Sequence, residues 1–122
     1  MDVNSDFDRP VVLFMGDATW SPSSLPGVER HILDRVGGEI IARATSIVRY
    51  APGSHFDRHV HGGGEEILVL DGLFRDEHGE YPAGAWLRNP RWSRHTPFTG
   101  VEGALIYVKV GGLAAPFLVP AT

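Results

Sequence analysis

The sequence has no cysteine among its 122 residues. This excludes a disulfide framework, a thiolate metal site and a cysteine nucleophile, and fits the expectation of a cytoplasmic protein. Lysine is almost missing as well, with Lys109 alone beside ten arginines, and the net charge is -4. No stretch gathers these cations into a stripe that tracks phosphates, so nucleic acid is not an expected partner. Apolar runs are short, far below the roughly 20 residues that span a bilayer. The acidic opening MDVNSDFDRP lacks the apolar core of a secretory leader, so no membrane partner is expected. Long helical periodicity is also absent, which points away from helical folds.

What remains is globular composition, 43% hydrophobic and 21% charged, in a chain long enough to bury a core as one domain. Residues 1–10 read as a polar, loose tail, and residues 11–122 as the domain. VVLFM (11–15) reads as a strand, while VERHILDRV (28–36) is ambiguous between a helical turn and a strand. EIIARATSIVRY (39–50) alternates and is β-branched, which predicts a strand. EEILVLDGLF, GAWLRNP and ALIYVKVGG predict further strands, with a hairpin turn at His78-Gly79 and another turn at TPFTG. Six to eight short strands with turns at this spacing predict an all-β sandwich or closed barrel.

The histidines carry the chemistry. His59 and His61 are two apart, so an extended segment turns both to one face. Glu65, Ile67 and Val69 continue that parity across Gly62, Gly63 and Gly64, which let the backbone bend sharply. Two imidazoles and a carboxylate on an apolar face are costly to bury, and one divalent cation satisfies all three. A fourth ligand has to come from elsewhere, and His95, beyond Pro90, lies on a segment that a barrel can bring alongside. His31, His55 and His78 are read as ordinary surface or core histidines.

These residues fit one spacing pattern. Gly53-x5-His59-x-His61-x3-Glu65-x6-Gly72 resembles the first cupin motif, and Gly84-x5-Pro90-x-Trp92-x2-His95-x3-Thr99 resembles the second. Trp92 stands where that family usually has glycine and Thr99 where it often has asparagine; neither position is a ligand in the family. More narrowly, the stretch from about Trp20 to Val110 resembles the ChrR-type cupins, which include the C-terminal domains of zinc-dependent anti-sigma factors. It is similar, more loosely, to dioxygenases that cleave acetylacetone or dihydroxyacetophenones. The resemblance implies a double-stranded β-helix (a jelly-roll barrel), frequent homodimers, and metal ligation by His59, His61, Glu65 and His95. Glu66 has the opposite parity and is not expected to ligate.

Three imidazoles and a carboxylate suit Fe(II) or Zn(II), with Mn(II) or Ni(II) as further fits. An open centre predicts a metal-dependent dioxygenase acting on a small carbonyl or phenolic compound. A closed zinc site predicts a ChrR-like sensor or binding module, and an isomerase or lyase is a further alternative on the same barrel. Ile67 and Val69 by parity, and the aromatics Trp86, Trp92, Phe98 and Tyr107, are the candidate walls of a substrate pocket. Arg43, Arg49 and Arg88 are candidates to hold an anion or to orient Glu65.

Overall fold

A computed structural model describes residues 2–23, 25–37, 41–55, 59–61 and 63–111, and for residues 41–42 and 59–61 the backbone alone. Nine strands follow in order: β1 (Ser21–Pro22), β2 (Val28–Gly37), β3 (Ile41–Tyr50), β4 (His59–His61), β5 (Glu65–Asp76), β6 (Gly79–Pro82), β7 (Trp86–Asn89), β8 (Ser93–His95) and β9 (Phe98–Gly111). The fold is the expected all-β one, and the only helical element among the described residues is a single 3-10 turn at Met15–Asp17. No described helix is long and apolar enough to cross a membrane.

Seven strands form one antiparallel sheet in the order β1-β2-β3-β9-β5-β6, with β7 pairing the first half of β5 beside β6 on its second half. β4 and β8 form a separate two-stranded ribbon. The two long strands β5 and β9 run together from Glu65 opposite Val110 to Arg75 opposite Phe98, with register shifts after Val69 and after Gly72. These bulges increase the local twist and bend the strands, which helps a sheet curl toward a barrel.

Alternation decides which face is inside. Along β5, Glu65, Ile67 and Val69 are buried while Leu68 and Leu70 are exposed, so the odd parity read from the sequence holds past the glycines. Ile67, Val69 and Phe74 pack with Val28, Val48, Tyr50, Ala104, Ile106 and Val108 to form the core. The glycine run serves close packing as well as bending. Gly64 takes φ 76°, a conformation that favours glycine, and a Cβ on Gly63 would stand 2.7 Å from the Gly111 Cα of β9.

Two local expectations are corrected and one open reading is resolved. VVLFM is no strand: residues 11–14 have no regular secondary structure, and Met15 opens the 3-10 turn. A strand needs a partner for its amide groups, which periodicity alone does not supply. TPFTG, expected to turn, instead opens β9 at Phe98. The ambiguous VERHILDRV is wholly strand, because its neighbour β3 supplies a full ladder. Residues 2–4 lie beside β2: Val3 and Arg35 exchange backbone hydrogen bonds of 2.9 and 2.8 Å, and Asn4 donates its side-chain amide to Leu33 O at 2.7 Å.

Candidate metal centre

Glu65 opens β5 and His95 closes β8. Their side chains are 4% and 3% exposed, and Glu65 Oε1 lies 2.6 Å from His95 Nε2. Thus two of the four residues expected to ligate one ion meet, buried, over the core residues Ile67 and Val69. The β4–β8 register sets His59 directly opposite His95 and His61 opposite Ser93. Directly opposed residues of an antiparallel pair share a face. The side chains of His59 and His61, and with them the completeness of the ligand set, lie outside the described residues. Among the described residues no three acidic or histidine side chains form a metal-binding group.

The electrostatics follow from burial. Burial by itself disfavours the His95 imidazolium, but the hydrogen bond to Glu65 and the charges of Glu65, Asp76 and Glu77 outweigh it and raise the His95 pKa. Glu65 Oε1 also accepts from Asn89 Nδ2 at 3.0 Å, and Asn89 is its cross-strand partner on β7. Sequence reading missed Asn89, whose only local signal is its place at the end of the strand before Pro90.

Tyr50, 6% exposed, packs edge-on against Phe74 with ring centroids 5.6 Å apart. Burial, and secondly the Glu65 charge, push its pKa far above the ordinary tyrosine value. A pKa raised in the folded state gives stability that is present below the unfolded value, about 10, and lost as pH rises beyond it. Unfolding midpoints are therefore expected to fall from pH 9.5 to 11 more steeply in the wild type than in Tyr50→Phe. Equal slopes would remove Tyr50 as the cause.

The candidate pocket residues divide between faces. Ile67 and Val69 are core, 2% and 1% exposed. Register places Tyr107 opposite Leu68, and Trp86 opposite Leu68 from the other side, so both belong to the outer face of the sheet. Tyr107 lines a groove of about 530 Å³ there, with Leu33, Ile47 and the arm residues Phe7, Val11, Leu13 and Met15. Phe98 is 39% exposed. The arginines face other partners: Arg88 pairs with Glu66 at 2.8 Å, Arg49 with Glu29 at 2.8 Å, and Arg43 with Asp34 at 3.6 Å. None of these three pairs involves Glu65. His31 Nδ1 lies 3.3 Å from Thr19 O, His55 bridges Phe98, and His78 is exposed at the β5–β6 turn.

The two departures from the cupin motif also find places. Thr99 is buried, accepts from Ser54 N at 3.1 Å and donates to Ala51 O at 2.8 Å, tying β9 to the connection after β3. Trp92 is 72% exposed and has φ 67°, in the region where glycine is favoured. A non-glycine residue costs about 1–2 kcal/mol there, and little burial offsets it. Trp92→Gly is expected to stabilise the protein by about 1 kcal/mol after glycine's larger chain entropy is counted. Urea denaturation checks this; a lower midpoint in the variant would instead assign Trp92 a packing role.

The profile of the ChrR cupin-like domain matches residues 8–114. The chain belongs to this family. Among solved structures, this cupin resembles that of Rhodobacter sphaeroides SigE in complex with the anti-sigma ChrR, at 28% identity and TM-score 0.66, over 80% of this chain and 51% of that one. It thus spans about half the length of that relative. Likeness of fold alone extends to an acetylacetone dioxygenase from Acinetobacter johnsonii (17% identity, TM-score 0.67, 85% and 74% covered). It extends also to the polyketide cyclase RemF from Streptomyces resistomycificus (17% identity, TM-score 0.70, 92% and 89% covered). Comparison with curated proteins gives no significant match.

Proposed function

We propose that this cupin holds one divalent metal ion through His59, His61, Glu65 and His95 and acts as a metal-dependent dioxygenase on a small carbonyl or phenolic compound. The observation that carries the metal reading is the buried Glu65–His95 pair, 2.6 Å apart, with His59 across the ladder from His95. A carboxylate oxygen and an imidazole nitrogen are donors that fit Fe(II) or Zn(II), and their burial is costly unless a cation joins them. When bound, such an ion supplies Lewis acidity and a template for the reactants. The chain's own part is to hold Glu65 through Asn89 and to keep water from the centre with Ile67, Val69 and Phe74. The acetylacetone dioxygenase among the fold neighbours supports this substrate class.

Anaerobic reconstitution with Fe(II), followed by oxygen uptake with β-diketones and hydroxyacetophenones, tests the activity. Uptake with at least one compound class is expected; none across the panel would overturn the enzymatic reading. The likeness to the ChrR–SigE complex favours a second reading, a sensor with a regulatory zinc. Tightly held zinc with no oxygen uptake would select it.

A second copy of the chain is the proposed protein partner. Val11, Val12, Leu13, Phe14 and Met15 form an exposed apolar run, and Leu68, Leu70 and Trp86 are exposed on the sheet's outer face. Contiguous apolar surface of this kind marks an association site. Sedimentation is expected to give a dimer that Leu13→Asp with Trp86→Glu dissociates, and a wild-type monomer at 100 μM concentration (about that of a typical run) would sink the dimer.

A further inference from the structure

We propose that Asp76 is the positioning residue for His95: it holds the imidazole with its proton on Nδ1, so that Nε2 is presented beside Glu65. The proposal rests on the metal reading above and deepens it. Asp76 ends β5, and its side chain is 2% exposed. Oδ1 accepts from the backbone amides of His78 at 2.8 Å and Gly79 at 3.2 Å, and from the Tyr81 hydroxyl at 3.3 Å. Those bonds close the β5–β6 turn, and a neutral asparagine would make them as well. They therefore do not account for a buried negative charge.

The other oxygen does. Oδ2 lies 3.9 Å from His95 Nδ1, on the side of the ring away from Glu65. The next residue repeats the arrangement on the backbone, because Glu77 Oε1 accepts from Thr96 N at 3.0 Å. Two consecutive acidic residues at one turn thus face two consecutive residues, His95 and Thr96, Glu77 by a hydrogen bond and Asp76 by charge. A neutral imidazole carries one N–H, and a carboxylate beside Nδ1 keeps it there. With an ion between them, Nε2 would then offer its lone pair on the side where Glu65 Oε1 stands. A carboxylate behind a ligating histidine both orients the ring and raises its basicity, and its loss costs about 10–100-fold in metal affinity.

The test compares wild type, Asp76→Asn and Tyr81→Phe by zinc titration against a chelator and by histidine-selective ¹⁵N NMR. Asp76→Asn keeps an acceptor for the turn but offers an amide N–H toward Nδ1. It is expected to bind zinc about 10–100-fold more weakly. Tyr81→Phe, which removes a turn contact and leaves Oδ2 untouched, is expected to stay within about threefold. In zinc-loaded wild type the His95 Nδ1 carries a proton whose resonance is lost or displaced in Asp76→Asn. Affinity within about threefold in Asp76→Asn, with that resonance unchanged, would overturn the proposal. So would an unprotonated Nδ1 in the loaded wild type, a measurement that needs no folded variant. If wild type takes up no zinc, the metal reading fails by itself, and the His95 Nδ1 proton resonance of the metal-free chain decides: its displacement in Asp76→Asn upholds the role of Asp76 and an unchanged resonance refutes it.

Discussion

His95→Ala is expected to destabilise the metal-free protein by about 3–5 kcal/mol, because it leaves the Glu65 carboxylate buried without its imidazole partner. Glu65 is 3% exposed, so water cannot replace the imidazole without opening the barrel. Asn89 still donates one hydrogen bond at 3.0 Å, which offsets only part of the charge. Zinc binding in the same variant should weaken by more than the about 10–100-fold that losing an outer partner brings, since a ligand itself is gone. Glu65→Leu combined with His95→Leu separates the two roles. Replacing a buried pair by apolar residues is often neutral or stabilising by about 1–4 kcal/mol. The double variant should therefore be more stable than His95→Ala while binding no metal. Urea denaturation of the metal-free proteins checks the order. A His95→Ala variant as stable as wild type would show that the pair is not buried in solution.

Gly72→Ala should cost about 2–5 kcal/mol, combining a left-handed backbone with overpacking. Gly72 has φ 76° and faces Ala104 of β9 across the ladder, between the two register shifts of β5. A Cβ there would collide with Gly103 O and stand 2.9 Å from the Ala104 Cα, and these backbone atoms cannot rotate away. Gly84 gives the comparison, because it has φ 93° with nothing within 4 Å of the added Cβ. Gly84→Ala meets only the conformational cost, about 1–2 kcal/mol. Thermal unfolding of both variants tests the difference, and equal losses would mean that β9 yields freely. A loss of about 5 kcal/mol approaches the whole stability of many domains, so Gly72→Ala is also expected to accumulate poorly.

The fold was legible in the sequence, and so was the burial of Glu65 at the proposed centre. Glu65, Ile67 and Val69 are buried as their parity requires, since a strand's period of two is a property of the local backbone. The strand nature of residues 41–50 and 65–76 follows from β-branched alternation in the same way. VVLFM shows the limit of such reasoning, because its apolar run is exposed and forms no strand. The arginines on strands show another, each meeting the acid that register brings near it, as Arg88 meets Glu66.

By itself, then, the sequence determined an all-β chain and two motifs that carry the proposed ligands, because periodicity, turns and motif spacing are local. Tertiary structure alone decided the partners. Only the pairing of β7 with β5 brings Asn89 to Glu65, only the β4–β8 ribbon sets His59 across from His95, and only the β5–β6 turn carries Asp76 behind the ring. Contacts between residues 19 to 36 positions apart depend on strand register, and the packing of the whole sheet sets that register.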